Sequence, residues 1–498
     1  MEQVKIRRII NNKLILELLI AIAAVILAFL MVYFGFIFSL ALVIGIVSLL
    51  IIIKKPFWGF LVYVALVYLR PVDLFPVLAQ IKLQTLILFF LLILLFLNHF
   101  VFGRKGLEIK GLDIIILAFL MVMFISVFKS IWISESLNYF FEYFKLFVFY
   151  LLASYIIKTE KQLKWFILIV IFCMVFVCII QIYTYLTIGL TRTTGIGGYG
   201  IHIGPINLST GRSIGPVSES VYGVGGYSLS FLGNASELGL AILIYFPFAY
   251  YFYMVFNSKV FKRAIMVIMG IFCISLILTG SRGAAVGALF MVLAMFIKSK
   301  HKLRVATIGL LIGLIALPIL PQKYVARIES ISDYEVDESA NIRIALWKAG
   351  LKMIRDHPLL GVGVGNFSTA YGSIYREVGS SNLWWKPHNN FIQVSSEMGL
   401  LGLIAYFSIM VFIFRENRKI RYKLNRYGIY NEFLFQCTQA VDISLVGYMI
   451  AGFFITSAYY PYLITLALIS RAVSIFVENE VKGSRNAGYM VGTGEHKS

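Results

Sequence analysis

Residues 165–188 read WFILIVIFCMVFVCIIQIYTYLTI, an apolar stretch that contains no charged side chain. About 20 such residues in a helix are enough to cross the hydrocarbon core of a bilayer. The rest of the chain has the same character: 60% of its residues are hydrophobic, 14% are charged and the mean hydropathy is +0.87. A soluble fold cannot cover that much apolar surface with polar side chains. The stretch therefore predicts a transmembrane helix, in a chain whose solvent is largely lipid.

Apolar stretches of this kind recur along the sequence, separated by short polar clusters. We predict an all-α polytopic integral membrane protein with roughly 12–14 transmembrane helices. The predicted spans cover residues 14–34, 36–53, 57–69, 83–102, 113–128, 139–157, 165–188, 229–256, 264–278, 284–297, 305–320, 391–414, 440–456 and 461–477. The first stretch is too long for a removable signal peptide and has no small-residue cleavage site, so we expect it to be retained.

The basic residues predict the orientation of these spans, because cytoplasmic loops are enriched in lysine and arginine. Four basic residues precede the first span, which indicates a cytoplasmic N-terminus. If the spans then alternate, the larger basic clusters fall on the same side: Lys54/Lys55, Arg104/Lys105/Lys110, Lys158/Lys161/Lys164, Lys259/Lys262/Arg263, Lys298/Lys300/Lys302/Arg304 and the group from Arg415 to Arg426. The net charge of +20 is therefore mostly an orientation signal, and no nucleic-acid partner is expected.

The same alternation divides the chain into six predicted segments. They are N-terminal transmembrane helices (1–190), a glycine-rich extracytoplasmic loop (191–227), central helices (228–320), a large extracytoplasmic loop (321–390), C-terminal helices (391–478) and a cytoplasmic tail (479–498). The four cysteines, Cys173, Cys178, Cys273 and Cys437, have no metal-like spacing and are expected to be small packing residues. The two outer loops are the candidate places for chemistry.

The first outer loop is dense in glycine and contains Arg212. One interpretation is a flexible connector. The other is a loop whose bare backbone can approach a sugar or a phosphate closely. Glycine content alone does not decide between them.

A second candidate, Arg282, lies in the turn GSRG between two very apolar spans. An arginine there costs a few kcal/mol unless it is paired or reaches the membrane surface. It is therefore either an anchor or ion-pair partner, or a guanidinium that binds a pyrophosphate through bidentate bonds. The tight turn, which fixes its direction, favours the second hypothesis.

The second outer loop contains SANIRIALWKAGLKMIRDHPLLGVGVGNF, residues 339–367. At 100° per residue it predicts an amphipathic helix that ends before Pro358, followed by a tight glycine turn. Arg343 does not lie on the basic stripe but beside Trp347. The apolar face holds Ile342, Leu346, Ala349 and Met353, and the basic face holds Lys348, Lys352 and Arg355. GVGVG lacks the strand and spacing of a dinucleotide site.

The same loop ends in WWKPHNN, just before the next span. His388 is either a helix cap or a general base, since the unperturbed pKa of a histidine lies near neutral pH. Trp384 and Trp385 suit the membrane interface or the stacking of a sugar. Glu397 lies about 13 Å deeper if the helix continues, too far for a direct pair with His388, so we expect it to pair with or orient other groups.

The order of these motifs resembles the O-antigen ligase and polysaccharide polymerase superfamily. The resemblance covers roughly residues 233–407: NASELGLAIL, then SRG, then HPLLGVGVGNF, then PHNNF and SEMGLLGL. The segment WGFLVYVALVYLRPVD at residues 58–73 is similar to ligase-like members associated with exosortase systems.

The resemblance implies a GT-C-like fold and an inverting glycosyltransferase of the bacterial inner membrane that needs no metal or other cofactor. The implied donor is an undecaprenyl pyrophosphate-linked glycan and the implied acceptor a hydroxyl of a glycan, lipid or protein, at the extracytoplasmic face among membrane lipids. By the same resemblance His388 is the base, and Arg282, Arg343 and Arg212 bind the pyrophosphate. We predict Glu397, Asn389, Trp347, Trp384 and Trp385 as supporting residues.

Three functions remain open from the sequence. A polymerase would use a second lipid-linked glycan as acceptor, and the residues 58–73 favour a ligase over it. A flippase or another transporter would place ionisable groups at mid-membrane and often shows internal repeats. No convincing repeat is visible, and the distinctive residues gather on one predicted side.

Overall fold

The computed structural model describes residues 52–69, 83–97, 108–192, 202–203, 206–207, 235–299, 302–303, 338–376 and 385–486. The all-α polytopic fold class is confirmed. The helices are α1 (Pro56–Leu69), α2 (Leu83–Phe96), α3 (Gly111–Val127), α4 (Ile133–Ile156), α5 (Glu160–Arg192), α6 (Ala235–Val255), α7 (Lys259–Thr279), α8 (Arg282–Lys298), α9 (Glu338–Asp356), α10 (Phe367–Ala370), α11 (Asn390–Arg426), α12 (Glu432–Ala451) and α13 (Tyr462–Asn486). A π-helical turn, Tyr371–Tyr375, follows α10.

Within the described residues, seven helices are long and apolar enough to cross a membrane: α4 to α7 and α11 to α13. Three shorter apolar helices, α1, α2 and α3, accompany them. The predicted spans 14–34 and 305–320, and nearly all of 36–53, lie outside the described residues. In the glycine-rich loop, the two-residue strands β1 (His202–Ile203) and β2 (Ile206–Asn207) pair antiparallel, with His202 opposite Asn207.

Contacts divide the chain into two units, residues 1–62 and residues 63–498. Residues 52–62 are the described part of the first unit and include the start of α1. In the second unit, α12 packs against α6 and α8, and α11 packs against α3 and α13. Small residues allow the first packing: a Cβ on Gly287 of α8 would lie 2.6 Å from Leu243 and 2.9 Å from Ala451.

One end of this bundle is held by ion pairs between helices. Arg471 donates to Asp113 at 2.7 Å, and Lys110 and Lys423 both reach Glu478. Lys298 and Arg421 bind Asp442 at 2.8 and 2.9 Å. Lys110, Lys298, Arg421 and Lys423 come from basic clusters that the sequence predicts on a single side, whereas Arg471 lies within the predicted span 461–477. The alternation of the spans across the membrane stays a prediction.

One span was predicted wrongly at its end. The apolar run to residue 456 suggested a helix to that point, but α12 ends at Ala451. Residues 452–461 instead form a loop, which we call the 452–461 loop. The physical reason is that its polar groups bond to other segments, as described below, and these bonds replace the helical ones. The last helix, α13, continues to Asn486 and so extends past residue 478, where the predicted cytoplasmic tail was expected to begin.

Candidate functional site

The end of the bundle opposite the ion pairs is organised around a break in α11. Gly399 has φ 66° and ψ −165°, which is not helical. The break frees the carbonyls of Ser396 and Glu397, and these accept hydrogen bonds from the amides of Val362 and Gly363 at 2.9 Å each. The amide of Leu400 donates in turn to the carbonyl of Pro358 at 2.8 Å. Backbone hydrogen bonds thus join the segment after α9 to α11 at its break.

The glycine turn GVGVG fits this place because its glycines meet neighbours that leave no room for a side chain. Gly361, Gly363 and Gly365 all have positive φ, as the predicted tight turn requires. A Cβ on Gly361 would lie 2.4 Å from the backbone of Glu397, and one on Gly365 would lie 2.2 Å from the ring of Tyr139. Residues 361–367, the turn and the two residues after it, therefore form a segment of fixed shape, which we call the cradle.

The carboxylate of Glu397 holds the cradle from inside. It accepts hydrogen bonds from the amides of Gly365 at 2.9 Å and Phe367 at 3.3 Å, and from the hydroxyl of Tyr459 at 2.6 Å. The side chain is 2% exposed, so all three bonds form away from water. Glu397 pairs with other segments and not with His388.

The amphipathic helix α9 lies over the cradle with its apolar face inward. Leu346, Ala349 and Met353 pack with Val362 and Phe367 of the cradle. The three basic side chains of the opposite face, Lys348, Lys352 and Arg355, are exposed. The predicted division of this helix into two faces is confirmed.

Arg343 and Trp347, one turn apart on α9, face the segment that precedes α11. The indole Nε1 of Trp347 donates to the carbonyl of Pro387 at 2.9 Å. The ring of Trp385 lies 5.9 Å from that of His388 in an edge-on arrangement. Burial lowers the pKa of His388 to about 4, with the positive charges of Arg343 and Lys386 adding to the effect. The structure thus brings Trp347, Trp385 and His388 together, with Arg343 near enough for its charge to act on the imidazole.

The backbone at His388 is held in an unusual conformation. Its φ is 49°. Among the residues that the structure describes, His388 is the only non-glycine residue with a positive φ. Such a conformation costs about 1–3 kcal/mol and persists where neighbours fix it. Asn389 supplies one constraint, because its side-chain oxygen caps α11 by accepting from the amides of Phe391 at 2.8 Å and Ile392 at 3.0 Å.

The first amides of α11 are therefore already occupied. Asn389 takes two, and the amide of Asn390 donates to the carbonyl of Gly452 at 2.7 Å. Helix starts often bind phosphate through free amides, but this one has none of those three to offer. Binding of an anion beside His388 would depend on side chains such as Arg343.

Arg282 begins α8, in the turn that the sequence predicted. Gly280 ends α7 in the left-handed conformation, and the hydroxyl of Ser281 caps α8 by accepting from the amide of Ala284. A Cβ on Gly283 would lie 2.5 Å from Cβ of Phe454, so this end of α8 packs tightly on the 452–461 loop. Of the remaining predicted site residues, Arg212 and Trp384 lie outside the described residues.

The 452–461 loop was not predicted, yet it contacts the first turns of α6, α8 and α11. Phe454 meets the start of α8, and the ring of Phe453 lies 4.6 Å from that of Phe391. Ser457 bonds with Asn390, while Tyr459 and Tyr460 donate to Glu397 and to Glu237 of α6. The available sequence signal was the set of polar side chains Thr456, Ser457, Tyr459 and Tyr460 just before Pro461.

Over the part of the chain that the structure describes, no three His, Cys, Asp or Glu residues lie close enough to hold a metal ion. The four cysteines are free thiols, three of them buried.

The fold and the site define a polytopic membrane protein with a polar centre at one end of its bundle, where arginine, histidine and tryptophan side chains meet. Residues 264–407, which carry Arg282, Arg343 and His388, match the family described as "O-Antigen ligase". The similarity to the O-antigen ligase superfamily is therefore confirmed for this region.

Similar proteins carry related names. The chain is 26% identical over 185 residues to a protein of Rickettsia typhi named "Putative polysaccharide ligase", covering 36% of this chain and 45% of that protein. It is 25% identical over 174 residues to a protein of the same name from Rickettsia prowazekii, covering 34% and 43%. The chain thus spans less than half the length of these curated relatives.

Proposed function

We propose that this protein is a membrane glycosyltransferase that moves a glycan from undecaprenyl pyrophosphate to an acceptor hydroxyl. The observation that carries the proposal is the meeting of Arg343, His388 and Trp385, within the region that resembles O-antigen ligases. A cation for the leaving group, a base for the nucleophile and an aromatic ring for a sugar are the groups such a reaction needs.

The chemistry follows from the groups involved. The acceptor oxygen attacks the anomeric carbon while the bond from that carbon to the pyrophosphate oxygen breaks, which inverts the configuration. The hydroxyl proton passes to His388, whose imidazole is neutral at physiological pH. The departing pyrophosphate keeps the bonding electrons, and Arg343 and Arg282 neutralise its charge without a metal. Arg212 is proposed as a further donor-binding residue.

The positive-inside pattern gives the proposed placement in the membrane. The ion-paired end of the bundle, rich in lysine and arginine, faces the cytoplasm together with both termini, in the inner membrane of a bacterium. The site end then faces outward, where the donor glycan and the acceptor meet. Cysteine labelling of an exposed position on α9, such as Lys352→Cys, tests this: a reagent that does not cross membranes should react from outside.

A transfer assay with purified protein, lipid-pyrophosphate glycan and candidate acceptors tests the activity. A single glycan added to a lipid or protein acceptor indicates a ligase, and a ladder of longer lipid-linked glycans indicates a polymerase. Transport of the lipid-linked glycan across vesicles without transfer would contradict the proposal. Full activity in the presence of a chelator is expected, and loss of activity on chelation would contradict the metal-free step.

Arg343→Ala is expected to lower kcat/KM for the donor by about 10²- to 10³-fold, because it removes charge stabilisation of the leaving group. The measurement is steady-state transfer at varied donor concentration. Arg355→Ala is the matched control, since Arg355 lies on the same helix, is exposed and pairs with the adjacent Asp356. Equal losses in both variants would contradict the role of Arg343.

The pH dependence of transfer should reflect the low pKa of His388. For free enzyme, kcat/KM is expected to stay level from neutral pH downward and to fall only near pH 4, where the imidazole gains a proton. Arg343→Ala removes one repelling charge, so the pKa rises and the fall moves to higher pH. The negative charge of a bound pyrophosphate also raises the pKa of His388. The acid limb of the kcat profile, which reports the bound enzyme, should therefore lie at higher pH than the acid limb of the kcat/KM profile. An acid limb unchanged by Arg343→Ala would contradict this coupling.

A further inference from the structure

The residue two positions after His388 makes an unusual set of bonds. Asn390 is 1% exposed, and its side-chain oxygen accepts from the backbone amide of Ser457 at 2.6 Å. Its side-chain nitrogen donates to the hydroxyl of Ser457 at 3.3 Å, and its own amide donates to Gly452 at 2.7 Å. One side chain and one amide thus attach the start of α11 to both ends of a short turn in the 452–461 loop.

These bonds do not belong to the helix cap. Asn389 already satisfies the amides of Phe391 and Ile392, so the cap would survive without Asn390. What Asn390 fixes is the position of the helix start relative to the loop. The loop in turn packs on α8 at the contact of Phe454 with Gly283, the neighbour of Arg282.

His388 needs such a fixed point because its own backbone is strained. A residue with φ of 49° relaxes if its neighbours can move. Trp347 holds Pro387 from the side of α9, and Asn390 holds the chain on the other side of His388. With both flanks anchored, the backbone at His388 is held in place.

We propose that Asn390 is a positioning residue, which fixes His388 against the 452–461 loop and, through that loop, against the end of α8 that carries Arg282. A shift of about 1 Å between a base and its substrate can cost 10²-fold in rate. The kinetic consequence rests on the proposed function. The positional consequence does not, because it can be measured without substrate.

The experiment compares four variants of the full chain. Asn390→Ala removes the side-chain bonds to Ser457 and keeps the backbone bond to Gly452. Gly452→Ala displaces the same contact from the other side, since the new Cβ would lie 2.9 Å from the Asn390 side-chain nitrogen. Asn390→Asp is the conservative rescue, because it keeps an oxygen for the amide of Ser457. Ser457→Ala is the matched control, since it removes the longer hydroxyl contact and leaves the 2.6 Å backbone bond.

Asn390→Ala and Gly452→Ala are expected to lower kcat by about 10- to 100-fold with little change in donor KM. Asn390→Asp should recover most of that loss, and Ser457→Ala should stay within about twofold of the original rate. An Asn390→Ala variant with unchanged kcat would overturn the inference, and so would an equal loss in Ser457→Ala. If Asn390→Ala does not fold, Gly452→Ala and Asn390→Asp decide.

A second readout separates this inference from the proposed function. Diethyl pyrocarbonate modifies neutral histidines, and mass spectrometry gives the rate at each site. His388 is expected to react several-fold faster in Asn390→Ala and Gly452→Ala than in the original chain, while exposed His357 serves as the internal standard. An unchanged rate at His388 would overturn the positioning role. Absent transfer by the original chain, with a faster rate in the variants, would contradict only the proposed function.

Discussion

His388→Asn is expected to lower transfer by about 10²- to 10⁴-fold, the range usual for loss of a general base. Asparagine is the sharper substitution because it tolerates positive φ better than alanine does. His388→Ala would lose the imidazole and also strain the backbone, so its defect would mix two causes. Both variants should bind the donor, since the arginines proposed to hold the pyrophosphate are intact.

The measurement is single-turnover transfer with saturating donor, together with direct donor binding. His357→Ala is the matched control: His357 lies just after α9, its side chain is exposed, and the hydrogen bonds in which it takes part use its backbone. We expect its rate to equal that of the original chain. A His388→Asn variant that retained more than about a tenth of the rate would mean that another group accepts the proton.

Much of this architecture was predictable, because membrane spans need apolar stretches of a known length and amphipathic helices place apolar residues at a known spacing. The apolar stretch at residues 165–188 became α5, and the two faces of α9 followed from a spacing of 100° per residue. The glycines of GVGVG predicted a tight turn, and Gly361, Gly363 and Gly365 have the positive φ that such a turn requires. These properties are local, so one sequence is enough.

The 452–461 loop was not predictable by the same means. Its residues are nearly as apolar as the helix before it, and what ends the helix is a set of bonds to partners far away in sequence. Ser457 meets Asn390, and Tyr459 meets Glu397, more than 60 positions apart in each case. Likewise, the separation of nine positions from His388 to Glu397 predicted that they do not pair directly, but nothing local indicated Gly365 and Phe367 as partners of Glu397.

The largest loss of stability is expected from Glu397→Ala. The substitution removes the acceptor of three hydrogen bonds and leaves two backbone amides and one tyrosine hydroxyl buried without it. Each unsatisfied buried group costs about 1–3 kcal/mol, so the free energy of unfolding of the site end should fall by several kcal/mol. Unlike His388→Asn, which should fold normally, this variant should lose the cradle itself.

Glu397→Gln separates the hydrogen bonds from the volume of the side chain. Glutamine has one acceptor oxygen where a carboxylate has two, and it adds two N–H donors that face the three donors of the cradle. The stability of Glu397→Gln should therefore lie between that of the original chain and that of Glu397→Ala. Gln393→Met is the control, one turn earlier on α11: Gln393 is buried, and its side-chain oxygen has no hydrogen-bond partner among the described residues. Hydrogen exchange at the amides of Gly365 and Phe367 and thermal unfolding in detergent report the effect. Slow exchange at both amides in Glu397→Ala would mean that backbone bonds between the cradle and the break at Gly399 hold the site together without the carboxylate.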